Sequence, residues 1–573
     1  MEEKENVETH EEIKEEEKET EIEKEVPEVK EDVPKKKSSV GIVLCFVIIA
    51  VLIIAVIGVL LLKGGNNSSK ESNKSSQDKQ DYKSENYRMN GNSLEKFDLA
   101  FLKLENEEKN KIYSPLSIKY ALAMLADGAN GGTREQITNV IGDYKSNQYP
   151  NNEHMSFANA MYIRDSFKDL VKDSYVNGLK EKYNADVIID PFTSAKSMND
   201  WISNKTLKLI NNLLDDQTVS QEQFLLINAL AIDMSWKNQI HCAPSENNIP
   251  CMVYWATYAH EKLKGEEKAF YSVSVPYESE IDFPPITFDG KANKKSVEVL
   301  SSFNRYDIIK ELGEEQIRKE IIDAFNEETQ RTGSAPRNES AEEVANEFIE
   351  DLKKNYNKEE ISTDYSFFVD DNVKVFAKDL QEYDGKTLQY VGIMPKNEKL
   401  KDYINHIEAK DVNQLIQSLK EAKYENVKDG VVTLIYGRIP LFHYDYELDF
   451  MNDLKTIGIN DVFNAENADL SNMVDTKGVF INYASHKATI DFSNDGIKAS
   501  AVTVGGGVGG TSGWDYLFEV PYETIDLNFN KPYMYIIRDK ATGEVWFTGT
   551  VYDPIDRPTT EVKSYARSED AKW

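Results

Sequence analysis

Residues 110–129 read NKIYSPLSIKYALAMLADGA, a helix-start signal followed by an apolar stripe. Ser114 and Pro115 supply the start, because serine caps free N–H groups and proline fits the first helical turn. Apolar side chains at Ile118, Ala121, Leu122 and Leu125 then fall on one face. The stretch therefore predicts an amphipathic helix whose start is signalled by Ser114-Pro115.

Strand signals lie mostly toward the C-terminus from this helix. Residues 224–232, FLLINALAI, are an almost unbroken apolar run, which suits a strand buried on both faces. Later runs with strand character are Val431–Tyr436, Gly478–Tyr483, Ala488–Phe492, Tyr533–Arg538 and Val545–Val551. Helices come early and strands dominate late, which predicts an α+β domain rather than alternating βαβ units.

Charge divides the chain before the helix. The 573 residues carry a net charge of −32, which argues against a nucleic-acid partner, because phosphates need clustered Lys and Arg. Residues 1–34 hold 16 acidic residues against 5 lysines and few apolar ones. Such a segment cannot bury enough surface to offset its ordering entropy. We therefore predict an acidic, disordered tail over residues 1–39.

Residues 40–62 predict a single transmembrane helix. They contain neither a charge nor a proline, and at 1.5 Å per residue they reach about 34 Å, enough to cross a bilayer core of ~30 Å. Lys35, Lys36 and Lys37 adjoin the N-terminal end, which predicts a cytoplasmic N-terminus and an extracytoplasmic remainder. Residues 63–90 are rich in Gly, Ser, Asn and Lys, which is typical of a flexible linker.

The three cysteines are too few for a disulfide scaffold. Cys45 lies within the predicted transmembrane helix. Cys242 and Cys251 leave two interpretations open, a disulfide across a short loop or two free thiols. With His241 and His260 they match no zinc spacing well, so the sequence predicts neither a metal site nor a cofactor.

Four separate blocks of the chain carry recognisable motifs: Asn110–Ala129 with Gly132–Gln136, Asn228 with Trp236, Ser485–Ala488 with Gly496, and Phe529–Arg538 with Gly543 and Phe547–Pro554. Together these blocks resemble the serpin family, and they occur in the family's order. No single block decides the resemblance, but their spacings agree over about residues 95–554.

The resemblance implies an α+β serpin fold of three β-sheets, about nine helices and an exposed reactive loop. It places this domain at residues 91–556, followed by a short tail at 557–573. It also implies a protein that is not an enzyme but a serine-type protease inhibitor. In this family, a protease cuts the loop, and the cut loop then inserts into the large sheet while still acylated to the protease.

Residues 494–503, NDGIKASAVT, correspond to the hinge of that loop. Side chains of an inserted strand alternate between faces. Counted from Gly496, the inward set is Ile497, Ala499, Ala501 and Thr503, and none of these is charged. Ile497 departs from the small hydroxyl residue expected at its position, but the set still predicts a hinge that can insert without burying an ion.

Residues 505–510, GGGVGG, match the letters of a dinucleotide fingerprint. That site requires a helix directly afterwards, whereas residues 511–514, TSGW, form a loop signal. The run is therefore interpreted as part of the loop, although each glycine costs roughly 0.5–1 kcal/mol when fixed in a strand. Family spacing places the reactive bond between Gly510 and Thr511. Small residues before the bond predict an elastase-like or subtilisin-like target.

Four polar residues match the family's shutter, a hydrogen-bond cluster beneath the large sheet: Ser114, Ser117, Asn228 and His486. Trp236 matches the breach, where the sheet opens. The resemblance gives these side chains a structural role in holding strands that must part. Nothing in the sequence positions a nucleophile beside His486, so no catalytic triad is predicted.

Residues 240–365 predict an insertion, because the family needs roughly a hundred fewer residues here. Part of it has the pattern of a helical hairpin, with apolar residues at Ile317, Ile321 and Phe325 and again at Val344, Phe348 and Leu352. Ser340 and Glu343 form a capping box for the second helix. The insertion is interpreted as packing on the domain, and a partner-binding module is the alternative.

The sequence thus predicts a membrane-anchored inhibitor of a serine-type protease, displayed outside the cytoplasm. The alternative is a non-inhibitory protein that uses the same fold as a binding or surface module. A covalent, SDS-resistant complex with a protease would separate the two.

Overall fold

The computed structural model of the chain describes part of residues 94–554. Residues 143, 146, 148, 238–257, 264–265, 273–286, 293–295, 356–363, 449–450, 485, 494–495 and 498–516 lie outside the description. The predicted tail, transmembrane helix, linker and C-terminal tail also lie outside it, as do Cys242 and Cys251. Within the described part, no helix combines the length and apolar character needed to span a membrane.

The described part contains twelve α-helices, three of them in the segment predicted as an insertion. They are α1 Lys96–Leu104, α2 Pro115–Gly128, α3 Gly131–Ile141, α4 Asp173–Tyr183, α5 Lys196–Lys205, α6 Asp216–Gln221, α7 Ile308–Leu312, α8 Glu314–Thr332, α9 Ala341–Asn355, α10 Leu400–His406, α11 Ala409–Gln417 and α12 Met451–Thr456. Short 3₁₀ turns occupy Lys168–Leu170, Tyr424–Asn426 and Asp461–Phe463.

The strands of the described part are numbered in chain order. They are β1 Lys111–Tyr113, β2 Met155–Arg164, β3 Asp186–Asp190, β4 Phe224–Ile232, β5 Met234–Ser235, β6 Tyr258–Leu263, β7 Glu266–Ser272, β8 Thr287–Phe288, β9 Lys291–Ala292, β10 Ser296–Asn304, β11 Ser366–Val369, β12 Val373–Asp379, β13 Leu388–Pro395, β14 Lys420–Glu421, β15 Val432–Pro440, β16 Phe442–Leu448, β17 His486–Phe492, β18 Gly496–Ile497, β19 Leu517–Val520, β20 Tyr522–Asp526, β21 Tyr533–Asp539 and β22 Val545–Val551.

Helix α2 forms as its sequence predicts. Its N-cap is Ser114, whose side-chain oxygen accepts a hydrogen bond from the backbone N–H of Ser117 at 3.0 Å, and Pro115 is the first helical residue. Ile118, Leu122 and Leu125 are buried. Helix α2 therefore lies inside the domain and presents its N-terminus to the strands described below.

A seven-stranded sheet forms one layer, in the order β1-β22-β21-β13-β12-β11-β14. Strands β13 and β22 are buried along their whole length, which explains their near-continuous apolar sequences. The predicted strands Tyr533–Arg538 and Val545–Val551 are confirmed as β21 and β22. The run at Val431–Tyr436 is confirmed as part of β15.

The sheet that contains the candidate functional site occurs as two blocks of strands, β3-β2-β4 and β16-β17-β18-β5. Strands β4 and β5 are consecutive along the chain and separated only by Asp233. The blocks are therefore two parts of one central sheet, joined through this interrupted strand.

Three smaller sheets complete the described part: β10-β15-β20, β19-β7-β6 and β8-β9. The described residues thus form six sheets rather than the expected three. One reason is the division of the central sheet, and the other is that β6–β9 belong to the predicted insertion. The same segment supplies α7–α9, which raises the helix number from about nine to twelve.

One predicted strand is wrong. Residues 478–484 contain no β-strand, although their apolar character resembles that of a strand. Phe480, Ile481 and Tyr483 line a cavity instead. A strand needs a neighbouring backbone with which to pair, and the side of the central sheet that this segment faces is open.

The predicted helical hairpin is confirmed as α8 and α9. Its six predicted apolar residues are buried, each with 5% or less of its surface exposed. The capping box is also present: the Glu343 carboxylate accepts from the Ser340 N–H at 2.9 Å, and Ser340 Oγ accepts from the Glu343 N–H at 3.3 Å. The hairpin packs on the domain through this apolar face.

Candidate functional site: an open central sheet

Strands β4 and β17 face each other across an unfilled space in the central sheet. In the described part, β4 pairs with β2 and β17 pairs with β16, but β4 and β17 form no ladder with each other. A cavity of about 20 Å³ lies between them, lined by Leu230 and Ile232 on one side and Thr489 and Asp491 on the other. The seven-stranded sheet, which packs against the central sheet, closes one face of this cavity.

A second cavity, of about 140 Å³, lies at the N-terminal end of β4, which is called the lower end of the sheet from here on. Its lining includes residues 224–228 of β4, Ile118 and Leu122 of α2, residues 480–484, and His486 at the start of β17. Both cavities therefore have β4 on one side and the segment containing β17 on the other. The two cavities thus lie one above the other between the same two segments of the central sheet.

The upper end of this space is closed by β18. Ile497 pairs with Phe492 of β17 and with Met234 of β5, and Gly496 pairs with Ser235. Ile497 is 2% exposed and lines the upper cavity. The predicted inward orientation of Ile497 therefore agrees with its burial, and Gly496 and Ile497 of the hinge already lie within the sheet.

Gly496 occupies a position where a side chain does not fit. A Cβ atom added there would lie 2.2 Å from the carbonyl oxygen of Met234 and 2.6 Å from Cα of Ser235. Both atoms belong to backbone that is held in the sheet, so they cannot move aside as a flexible side chain would. The close approach of β18 to β5 thus depends on glycine.

Trp236 holds the turn that leads into β18. Its indole N–H donates to the carbonyl oxygen of Ser493 at 3.0 Å, and Ser493 N–H donates in turn to the carbonyl of Gly496 at 3.0 Å. The indole ring is 1% exposed and packs edge-on against Phe492 and Tyr390, with centroid distances of 5.6 and 6.3 Å. The predicted breach tryptophan therefore contacts both the hinge turn and β17.

The lower end is held by a polar network. The Ser114 N–H donates to His486 Nε2 at 2.9 Å, which links α2 to β17. Ser117 Oγ donates to Asn228 Oδ1, which links α2 to β4. The structure thus brings Ser114, Ser117, Asn228 and His486 together around the N-terminus of α2.

Two further residues extend this network beyond what the sequence indicated. Asn228 Nδ2 donates to Asn159 Oδ1 at 2.6 Å, and Asn159 Nδ2 donates to the carbonyl oxygen of Tyr183 at 2.9 Å. Asn159 is 3% exposed. An asparagine within the apolar strand β2 was the available signal, since a buried amide needs hydrogen-bond partners.

His486 is neutral at physiological pH. Its ring keeps part of its surface exposed because it lines the lower cavity, but protein surrounds it closely enough that desolvation lowers its pKa to about 4. Since Nε2 accepts from Ser114, the proton of the neutral ring lies on Nδ1. Ser114 offers His486 its backbone N–H, while its hydroxyl oxygen caps α2, so the pair is not arranged as a nucleophile and its base.

The remaining predicted site residues lie outside the described part. They are Ala499, Ala501 and Thr503 of the hinge and Gly510 and Thr511 of the reactive bond. Among the described residues, no group of three or more His, Cys, Asp or Glu side chains could hold a metal ion.

Comparison with known proteins identifies this architecture. The model of the family described as "Serpin (serine protease inhibitor)" matches residues 96–248 and 362–554. The chain belongs to the serpin family. The matched stretches contain the hinge, the breach tryptophan and the four predicted shutter residues, whereas residues 249–361 lie between them.

Mouse neuroserpin is 24% identical to this serpin over 473 residues, which cover 78% of the chain and 87% of the relative. The native crystal structure of tengpin, a thermophilic serpin, covers 80% of this chain and 93% of tengpin, with 19% identity and a TM-score of 0.47. Thyroxine-binding globulin complexed with thyroxine covers 80% and 97%, with 16% identity and a TM-score of 0.48. Serpins are in general protease inhibitors rather than enzymes.

Proposed function

We propose that this serpin inhibits a serine-type protease by letting residues 498–516 be cut and by inserting the cut segment between β4 and β17. The observation that carries the proposal is the position of β18. This short strand already pairs with β5 through both its residues and with β17 through Ile497, above two cavities that have β4 on one side and the segment containing β17 on the other.

The energy for trapping comes from completing the sheet. An inserted strand would satisfy backbone groups of β4 and β17 that form no ladder with each other in the uncut chain, and it would fill the two cavities. The protease serine attacks the carbonyl of the residue before the cut, forms an ester with it and releases the new amine. Insertion then moves the ester to the far end of the sheet before water hydrolyses it.

The reactive bond is proposed to be Gly510–Thr511. Residues 496–510 span ~50 Å as a strand, at ~3.3 Å per residue, which matches a cut segment that runs the full length of the sheet. A cut near Leu517 would leave about seven residues of slack, so the protease would stay undistorted and finish hydrolysis. An elastase-like or subtilisin-like protease is therefore the proposed target.

The membrane location is a separate proposal. It rests on the uncharged residues 40–62 and on Lys35–Lys37 before them. We expect protease added to intact cells to release the serpin domain. Protection of the domain until the cells are lysed would contradict this orientation.

Two measurements test the inhibitory function. The full-length protein is incubated with a panel of serine proteases, and SDS-resistant complexes are mapped by mass spectrometry. Separately, the thermal midpoint is compared before and after a verified cut, and we expect a rise of about 10 °C or more as the sheet gains a strand. Cleavage without a complex and without a rise would contradict the proposal.

The alternative, a non-inhibitory serpin, is favoured by one feature of the sequence. Residues 505–510 contain five glycines, which weaken the inserted strand by roughly 0.5–1 kcal/mol each. In that case the loop would be cut without trapping, and the protein would act through binding at its surface.

A further inference from the structure

The two ends of residues 498–516 are held in different ways. The N-terminal end continues from β18, which consists of two residues in the central sheet. The C-terminal end continues into β19, which pairs antiparallel with β7 over four residues, from Leu517 opposite Ser272 to Val520 opposite Ala269. Strand β7 lies within residues 249–361, between the two stretches that match the serpin family. The far end of the loop is therefore fastened to a part of the chain that the family match does not cover.

The helical hairpin covers the same strand from one face. Phe518 and Val520 of β19 are 2% and 3% exposed. They belong to one apolar cluster with Phe325 of α8 and Phe348 of α9, and β15 contributes Val432 and Leu434. Since residues two apart in a strand share a face, β19 presents one side to the hairpin. Strand β19 is thus held both by a backbone ladder and by buried side chains.

The hairpin is internally braced, so it can act as a fixed support. Lys353 Nζ lies 2.9 Å from Glu314 Oε1 and joins the two helices. Arg337 of the connecting turn lies 2.8 Å from Glu347 and covers the ring of Phe348 at 5.6 Å. With the capping box at Ser340, these contacts hold the turn and both helices in one arrangement.

The number of residues in the loop determines whether β19 must be released when the loop inserts. Residues 498–516 number 19. Full insertion uses about 15 residues from Gly496 onward, or ~50 Å of strand. An uncut chain must then return the same distance outside the sheet, which takes about 15 more residues. That return would use all of β19 and most of β20, whereas a cut chain needs to release neither strand.

We propose that helices α8 and α9 clamp β19 and thereby prevent the central sheet from accepting the loop before it is cut. Uncut insertion has to pull Phe518 and Val520 out of the apolar cluster and break the β7–β19 ladder. Cleavage removes this requirement, because the cut segment is no longer connected to β19 and can enter the sheet without it. The clamp keeps the uncut loop available to a protease and deepens the inhibitory function proposed above, on which it rests.

The experiment weakens the clamp and measures insertion without cleavage. Full-length wild-type protein and Phe518→Ala are held at a fixed temperature below the thermal midpoint. Samples are then tested for loss of protease access to residues 498–516, for a new heat-resistant population, and for an intact chain by mass spectrometry. We expect the uncut, protected form to accumulate at least about tenfold faster in Phe518→Ala.

Two further variants locate the effect. Phe348→Ala weakens the same cluster from the side of the hairpin, and we expect it to accelerate formation of the uncut, protected form to a similar extent. The double variant Phe348→Ala/Phe518→Ala should convert little faster than either single variant. Phe101→Ala is the matched control, because Phe101 is 1% exposed on α1 and belongs to a different apolar cluster. It should lower stability without changing the conversion rate more than about twofold. If Phe518→Ala fails to fold, Phe518→Leu replaces it, with a smaller acceleration expected.

The outcomes separate the clamp from the proposed function. If cutting raises the thermal midpoint of every folded variant but none converts faster than wild type, the clamp is wrong and the inhibitory function stands. If cutting leaves the wild-type midpoint unchanged, the inhibitory function itself fails. Equal acceleration by Phe101→Ala would reduce the effect to general destabilisation and would also overturn the clamp.

Discussion

The upper and lower ends of the space in the central sheet are closed by different kinds of interaction. At the top, β18 pairs through its backbone with β5 and β17, and Trp236 packs over the turn that leads into it. At the bottom, side chains of Ser117, Asn228 and His486 connect α2 to the two strands. The top thus already has the pairing that the proposed insertion would extend, whereas the bottom consists of bonds that an inserting strand would have to rearrange.

This contrast indicates a direction for insertion. In the proposed mechanism, the inserting strand would start from this existing pair and extend its ladders one position at a time. The polar network would then be the later obstacle. Substitutions at the two ends should therefore differ in kind, because changes at the top affect where insertion starts and changes at the bottom affect how far it proceeds.

The largest expected effect comes from a charge on the inserting face. Ala501→Arg should abolish stable complex formation while leaving cleavage intact, because insertion would bury an unpaired guanidinium at a cost of several kcal/mol. Val502→Arg is the matched control, since its side chain falls on the outward face and should leave inhibition largely unchanged. The ratio of complex to cleaved serpin on SDS gels measures both. Equal loss of inhibition in the two variants would contradict the predicted alternation.

The next effect is the pH dependence of the lower end. The pKa of His486 is about 4 in the folded chain against a reference value of 6.5, so the unfolded chain binds the proton first as the pH falls. Stability is therefore complete above pH 6.5 and is lost progressively toward pH 4, by up to about 3 kcal/mol. Denaturant unfolding of wild type and His486→Gln across this range measures the slope, which the variant should flatten. Parallel pH profiles would show that His486 is not responsible.

A smaller loss is expected when the network is cut at β4. Asn228→Ala removes the partner of Ser117 and Asn159, and it should lower the free energy of unfolding by about 1–3 kcal/mol, because buried polar groups lose their hydrogen bonds. Asn338→Ala, at an exposed asparagine of the turn before α9, is the control and should change stability by less than about 0.5 kcal/mol. Equal losses of unfolding free energy in the two variants would mean that the buried network stabilises the fold no more than an exposed asparagine does.

A loss of similar size is expected at the top. Trp236→Phe keeps an aromatic ring but loses the hydrogen bond to Ser493 and leaves part of a fully buried indole site empty, which should lower the free energy of unfolding by about 1–3 kcal/mol and raise protease access to the hinge. Trp201→Phe loses a comparable bond to Asp186 at a more exposed position and should not alter hinge access. If protease access to the hinge is unchanged in Trp236→Phe, this tryptophan does not hold β18 in place.

Local pattern and family resemblance predicted much of this molecule. The cap and stripe of α2, the apolar run of β4 and the paired stripes of α8 and α9 each carry their own signal, because they depend on residues close in sequence. The four polar residues around α2 came from the resemblance, and the structure places them within one network. Asn159 was not identified, although a polar residue in a buried strand is a recognisable sign.

The failures of prediction share one physical cause. Residues 478–484 have strand-like composition but form no ladder with any described strand, so their composition alone does not make them a strand. Strand β19 pairs with β7 about 250 residues earlier, and no local pattern encodes so distant a partner. Pairing in sheets is decided by tertiary context, which a single sequence does not supply.

The short ladder at β18 also fixes an alignment. Gly496 lies opposite Ser235 and Ile497 opposite Met234 on one side, and Ile497 lies opposite Phe492 on the other. An uninterrupted continuation in this register places Thr503 opposite Asn228 of β4 and opposite His486 of β17. In the proposed insertion, the residue that would reach the polar network is thus one whose hydroxyl group could join it, and the glycines at 505–510 would follow only after that level had been passed.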